Sequence, residues 1–491
     1  MEDSHMAAIP PRLDWEQDTG EADLTMQTAP TMAPAIAPAK ARYPPGPKFL
    51  PRLLTGKVFR VNATEYLVEC AKTYGDLVHY TAIGRHVYQL NSPALIEDFF
   101  LKDAAKHHRG IVMQKARSVL GEGLLTSEDP LHIRQRRLAQ PAFHRARIAG
   151  YGETIGQQAA AMTSRWKTGT TLDVHEAMLG VALRIVGKCL FDLNVESDAE
   201  VRKISDAVDS FMRILPIAFL PFSEQIQKLP IPSMRRIRRG VAELDTLIYG
   251  MIAERRKSPG DRGDLLSMLM EAVDSEAVGN ESTRMSDKQL RDECLTVMLA
   301  GHETTANALS FAMWLMARHP EVQQAIREEA RTVLGGRAPV AADYGRLKFT
   351  TQVFAETMRL YPPVWVTART CEEPYEIAGY RITKGSVVIA PQFVVHRDVR
   401  WYADPLRFDP SRFTDENKAG RPRYAYFPFA AGSRQCIGEG LAWMEGVFVL
   451  AVTARDWRLS LPEGSPDEIA YNPAISLRPK RGVPLVLERL A

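Results

Sequence analysis

Sulfur is scarce in this chain. Five cysteines, Cys70, Cys189, Cys294, Cys371 and Cys436, are scattered through 491 residues without a CxxC pair. An odd and widely spaced set excludes a disulfide framework, and the missing CxxC argues against structural zinc. A reducing compartment fits such usage best. An excess of charge of one sign is also lacking: 62 basic residues face 59 acidic ones, a formal net charge of +3. Nothing in that balance calls for nucleic acid, and the local run Arg235-Arg236-Ile237-Arg238-Arg239 reads as a solvated helix face. Long hydrophobic runs are missing too. The most apolar short stretch, Ile214–Phe222, is interrupted by Pro216 and Pro221 and falls short of a membrane span. The first residues show no basic start, apolar core and cleavage site, so no signal peptide is expected and the location is expected to be cytoplasmic. Internal repeats are absent.

What is present is the composition of a folded protein, 45% hydrophobic and 25% charged. Residues 1–42 mix acidic residues with Pro, Ala, Thr and Met, have neither helical nor strand period, and read as a disordered leader. The stiff stretch Tyr43-Pro44-Pro45-Gly46-Pro47 marks the start of the folded domain, 43–491. Helical periodicity predicts helices near Glu200–Leu215, Met234–Lys257, Asp287–Ala317, Pro320–Leu334, Thr350–Leu360 and Gly440–Ala454. Strand signals are short, at Val78–Leu90, Tyr375–Ile389 and Val483–Leu487. The expected fold class is one mainly α domain with a small β portion.

Four local anomalies carry the chemistry. In FPFAAGSRQCIGEG, Phe427–Gly440, a single cysteine stands between Gly432 and Gly438, with Arg434 two positions before it. The glycines leave room for something flat and bulky. The helix that starts just after Cys436 presents unpaired N–H groups and its positive dipole end, which favour thiolate. A thiolate in a glycine-walled turn beside a carboxylate-binding cation is a way to hold haem iron from one side. The bland alternative is a small buried cysteine in a turn.

The second anomaly is Ala300-Gly301-His302-Glu303-Thr304-Thr305, inside the longest helical pattern. Leu295, Leu299, His302, Ala306, Leu309, Met313 and Met316 form one stripe, so this helix is expected to be buried and His302 to be a core residue. Gly301 costs such a helix about 1 kcal/mol relative to Ala. Rules broken inside a buried helix mark functional sites. Ala300 and Gly301 would leave space for a planar cofactor, and Glu303 and Thr304 would supply protons in an apolar cavity. The third is Glu356-Thr357-Met358-Arg359, an ion pair whose apolar neighbours indicate burial. The fourth is His132-x-x-x-Arg136, which could bind a carboxylate or form an ordinary basic face.

Together these stretches resemble the cytochrome P-450 haem-thiolate monooxygenases, soluble bacterial type. FAAGSRQCIG is similar to that family's cysteine-ligand loop, AGHETT to its oxygen-activation motif and ETMR to its Glu-x-x-Arg pair. Phe408-Asp409-Pro410-Ser411-Arg412-Phe413 is similar to its second arginine element. The resemblance spans residues 43 to 491, with the motifs in the family's order, and implies the single-domain P-450 fold around haem b. It implies Cys436 as the axial iron ligand, and Phe429, Gly438 and Ala300 against the macrocycle. His132, Arg136, Arg369 and Arg434 would contact the propionates, although the first of these positions is Trp in many relatives. Glu303 and Thr304 would be catalytic, whereas Glu356, Arg359 and Arg412 would be structural. Phe211, Leu215, Val297, Ala300, Val364, Val366 and Ile475 would line the pocket for a medium-to-large apolar substrate. One oxygen atom of O2 would enter a C–H or C=C bond. Two electrons would come from NAD(P)H through a separate ferredoxin or flavodoxin-type donor, docking near Lys418, Arg421 and Arg423. A monomer is expected.

Two rival readings remain at this point. A peroxide-using or isomerising relative tends to lose the acid–alcohol pair, which is present here as Glu303-Thr304. A non-enzymatic haem-thiolate sensor of gas or redox state usually carries a signalling domain.

Overall fold

The structure is a computed structural model, and it describes residues 43–47, 62–82, 84–195, 197–218, 225–226, 229–273 and 284–490. The leader 1–42 lies outside them. The principal helices are α1 (Ala63–Tyr74), α2 (Ile111–Leu120), α3 (Leu131–Ala139), α4 (Arg145–Ser164), α5 (Val174–Phe191), α6 (Asp198–Ala218), α7 (Pro232–Lys257), α8 (Asp287–Arg318), α9 (Pro320–Leu334), α10 (Lys348–Leu360) and α11 (Glu439–Asp456). No helix among the described residues is long and apolar enough to cross a membrane.

The longest helix, α8, sets the architecture. It opens with a capping box in which Ser286 and Gln289 satisfy each other's backbone N–H groups. From Leu290 to Ala317 it is buried on nearly every side, as the expected stripe and more besides. It packs against α5, α7, α10 and α11, which share one continuous core. His302 is a core residue, its Nε2 3.1 Å from the Leu179 carbonyl of α5.

Gly301 has a different cause from the one its position suggests. A Cβ there would lie 2.8 Å from Val186 Cγ2, so the missing side chain admits α5 rather than a cofactor. Gly301→Ala is therefore expected to cost about 1–3 kcal/mol of overpacking, reduced by the better helix propensity of Ala. Pairing it with Val186→Ala should restore the melting temperature. A Gly301→Ala protein that melts like the wild type would contradict the close approach.

The β portion is small. Strands β1 (Leu77–Ala82), β2 (Arg85–Leu90), β3 (His107–Arg109), β4 (Thr367–Cys371) and β5 (Val387–Ala390) form one sheet in the order β1-β2-β5-β4-β3. Only the β2–β5 pair is parallel. A hairpin of β6 (Tyr471–Pro473) and β7 (Leu477–Pro479) reaches back to α8, and Thr171–Asp173, Trp457–Ser460 and Pro484–Arg489 form a third sheet. The segment Tyr43–Pro45 is pinned to the main sheet. Tyr43 stacks on His79 with ring centroids 4.4 Å apart, and His79 N donates to the Pro45 carbonyl at 3.0 Å.

Candidate active site

The Cys436 loop is built before any ligand is considered. Cys436 N donates to the Phe429 carbonyl at 3.0 Å, and Gln435 N to the Gly432 carbonyl at 3.1 Å. Gly432 has φ +71°, and a Cβ there would meet the Phe100 carbonyl oxygen. Gly432 thus serves the turn itself. At Gly438 a Cβ would have only Phe143 within 4 Å.

Behind the loop lies a buried polar cluster. Arg359 donates to both carboxylate oxygens of Glu356 at 2.6 and 2.7 Å, and to the carbonyls of His396, Pro405 and Arg407. Both side chains are fully buried. Asp409 N donates to Glu356 Oε1 at 2.9 Å, while Arg412 Nε lies 3.5 Å from it. Tyr402 stacks under both Arg359 and Arg421. The sequence did not point to His396. Its carbonyl accepts from Arg359, and its Nε2 accepts from Phe427 N at 2.9 Å at the start of the cysteine loop. Burial holds this imidazole well below its ordinary pKa, the neutral state that accepting requires. The cluster is architectural, and His396 is its link to Cys436.

Cys436 has accessible surface, yet burial pushes its thiol up to about 11, so it opens into an interior hollow rather than bulk solvent. Glu439 pushes the same way, while the Gly438 amide and Arg136 pull it down. The dipole argument from sequence is therefore outweighed by burial. A metal cation bonded directly to sulfur would hold it as thiolate against that burial.

On the other side, Ala300, Gly301 and Thr304 are the only residues of Leu290–Ala317 that are not buried. They form one short window in an otherwise sealed helix, which packs on α11 immediately after the Cys436 loop. Thr304 Oγ1 donates to the Ala300 carbonyl at 2.7 Å, leaving its lone pairs as acceptors. Glu303 is buried and accepts from Ser476 Oγ at 2.8 Å.

A cationic group lies beside the cysteine loop. Arg109 and Arg369 stand directly opposite each other across β3 and β4, where like charges repel. Burial lowers both, Arg369 to about 10, and each is lowered further by neighbouring arginines. Arg434 donates to Glu128 Oε2 at 2.8 Å and to the Ser127 carbonyl, and Arg136 donates to the Gln435 carbonyl. His132 Nδ1 lies 3.2 Å from Asp129 Oδ1, and its buried Nε2 has no partner. Burial and the adjacent arginines push His132 down to about 4. While neutral it donates to Asp129 and offers Nε2 as an acceptor; it becomes a donor to an anion only when protonated. Arg109 was not singled out from sequence, although the register with Arg369 makes it part of the group. Arg109 Nε is a buried donor without a partner. Several cations against Glu128 and Asp129 suit a dianionic edge, and a thiol in a glycine-containing loop beside them suits an iron macrocycle. The residues fit haem.

Of the expected pocket residues, Val297 is buried on α8, Val366 and Ile475 are half-buried, and Val364 is exposed. Phe211 and Leu215 lie on α6, but their side chains are outside the described set. Of the basic residues expected to meet an electron donor, Lys418, Arg421 and Arg423, the first two have partners within the chain. Arg421 donates to the Arg412 and Asn417 carbonyls, and Lys418 pairs with Asp415. An open cleft of about 420 Å³ also lies beside the cysteine loop, lined by Ile133, Arg136, Arg137, His144 and Ser433 among others.

Residues 44–486 match the family described as Cytochrome P450. Cyclooctatin synthase of Streptomyces melanosporofaciens is 37% identical over 421 residues, 84% of this chain and 89% of that one. Cyclooctat-9-en-7-ol 5-monooxygenase of the same organism is 32% identical over 86% of this chain and 93% of its own. Pentalenene oxygenase of Streptomyces avermitilis is 31% identical over 81% and 87%. The crystal structure of cytochrome P450DA heme domain superposes with a TM-score of 0.81 at 25% identity, covering 92% of this chain and 98% of that one.

Proposed function

The chain belongs to the cytochrome P450 family and is a haem-dependent monooxygenase, and we propose that its substrate is a cyclic terpene or terpenoid alcohol, hydroxylated at an unactivated carbon. The observation that carries the chemistry is the pairing of the Cys436 hollow with the Ala300–Thr304 window on packed neighbours. The substrate class is supported by the mostly aliphatic wall and by the names of three relatives. When bound, haem supplies the activation of O2 with two electrons.

The protein's own residues do the rest. Cys436 would ligate the iron, with Phe429 and Gly438 in its loop and Ala300 opposite. Arg109, Arg369, Arg434 and Arg136 would hold the propionates, and His132 would join them only when protonated. Val297, Val364, Val366 and Ile475 would exclude water and orient the substrate. Thr304 and Glu303 would bring two protons to the site, so that O2, two electrons, two protons and a C–H bond give a C–OH group and water. Electrons from NAD(P)H would arrive through a separate ferredoxin or flavodoxin, docking over the cleft at Ile133, Arg137 and His144, where steering weakens with salt.

The test is turnover under 18O2 with NAD(P)H, a ferredoxin and its reductase. Cyclic terpenes and cyclooctat-9-en-7-ol would be screened first for the change in haem spin state. One labelled oxygen in the product is expected. A spectral change without product from any terpenoid that binds would favour a sensor.

A further inference from the structure

Glu303 is held by a part of the fold that the proton reading does not use. Ser476, at the β6–β7 turn, donates its hydroxyl hydrogen to Glu303 Oε1 at 2.8 Å. Asn307, one turn further along α8, donates from Nδ2 to Ser476 Oγ at 3.1 Å. All three side chains are buried, and Asn307 Oδ1 has no partner. The hydroxyl thus accepts from one side and donates to the other. Hydrogen bonds to a carboxylate in such surroundings are among the stronger kind.

The turn is itself tied to the pocket wall. Trp365 Nε1 donates to the Ala474 carbonyl at 2.8 Å, and Leu477 N donates to the Pro363 carbonyl at 2.8 Å. Val364, Val366 and Ile475, the aliphatic residues expected to line the pocket, therefore sit on two strands of chain clamped together on either side of Ser476. Whatever displaces Ile475 moves Ser476.

We propose that Ser476 is a positioning residue that latches Glu303 against the β6–β7 turn, and that substrate seated against Ile475 releases it. The proposal rests on Glu303 carrying protons as described above. Without substrate the carboxylate is held beside the Ala300–Thr304 window and cannot swing to it. With the turn displaced, the hydrogen bond lengthens and the side chain is free to rotate toward Thr304. Only a proton moves in this step: the carboxylate takes it from solvent-side water and gives it to the acceptor beyond Thr304. The latch makes proton delivery depend on an occupied pocket, which suppresses consumption of electrons when no substrate is present.

The test compares wild type with Ser476→Ala, Ser476→Thr and Glu303→Gln as haem-loaded proteins, using cyclooctat-9-en-7-ol as the probe. Infrared difference spectra, with the Glu303→Gln spectrum assigning the band, read the carboxyl directly without turnover. In wild type and Ser476→Thr the probe should shift the Glu303 band, and in Ser476→Ala the band should already be shifted and should not respond. Correspondingly, the probe-induced stimulation of NAD(P)H oxidation should fall about tenfold in Ser476→Ala, the scale of a lost hydrogen bond to a charged group. If Glu303→Gln turns over like wild type, Glu303 carries no proton, and the proton reading and the latch fall together. If Glu303→Gln is slowed but Ser476→Ala keeps the wild-type band shift and stimulation, the latch alone is overturned.

Discussion

Thr304→Ala is expected to leave haem content and substrate binding unchanged and NAD(P)H consumption near normal, while product formed per NAD(P)H falls by at least about tenfold. A positioned proton donor contributes ~10²–10⁴-fold to a step that needs it, so tenfold is a conservative floor. The structural cost is small. The hydroxyl donates back to the Ala300 carbonyl within α8, a bond the helix does not need, and Ala is the better helix former. The functional cost is large because Thr304 is the one hydroxyl in the window that α8 leaves open. With it gone, the two electrons and two protons should leave with O2 as hydrogen peroxide. Glu303→Gln should slow consumption and product together, since it removes the carrier rather than the delivery point. The measurement is product and peroxide against NAD(P)H oxidised. Wild-type coupling in Thr304→Ala would mean that the substrate or another group supplies the hydroxyl.

Arg359→Ala is expected to abolish stable haem-loaded protein. The guanidinium donates to two carboxylate oxygens and three carbonyls, all away from water. Removing it leaves the fully buried Glu356 carboxylate without its main partner, a change that costs about 3–5 kcal/mol. A whole domain has only about 5–15 kcal/mol to lose. The damage should reach the iron site through a short path, because His396 carries both the carbonyl that Arg359 binds and the imidazole that Phe427 N binds. Arg359→Lys should fail almost as badly, since an ammonium cannot make the paired contact with Glu356 while reaching the carbonyls. Haem absorbance per protein and the thermal midpoint check this. Full haem occupancy in Arg359→Ala would show that the cluster does not shape the cysteine loop.

Much of the site was legible in the sequence because its residues break local rules. A lone cysteine between glycines, a Gly-His-Glu-Thr-Thr run in a buried helix and an acid–base pair among apolar neighbours each stand out without coordinates. Elements with a periodic stripe were located well. Pro320–Leu334 was found to the residue, and α7, α8, α10 and α11 to within a turn. The helix that packs most closely on α8 was missed. In α5 the buried residues include Val174, Met178, Val181, Ala182, Leu183, Ile185, Val186 and Phe191, so apolar residues surround it and no stripe remains to detect. The Tyr375–Ile389 signal resolved into the separate strands Tyr375–Ile377, Tyr380–Ile382 and Val387–Ala390, which join two different sheets. Arg109, His396 and Ser476 were invisible for a common reason. Each matters through a partner more than 30 residues away, at Arg369, Phe427 or Glu303, and only the fold creates that distance. Gly301 was legible as an anomaly and its cause was not, because the close approach of Val186 is a tertiary fact.

The identity of the axial ligand underlies every step described for this site. The most direct measurement is the absorption spectrum of the dithionite-reduced, carbon monoxide-bound protein, wild type beside Cys436→His. A thiolate donates electron density through iron, and the family's strongly red-shifted Soret band follows from that donation. Wild type should show the band, and Cys436→His should lose it even where haem is retained. A red-shifted band that survives in Cys436→His would place the thiolate elsewhere and contradict the assignment of Cys436.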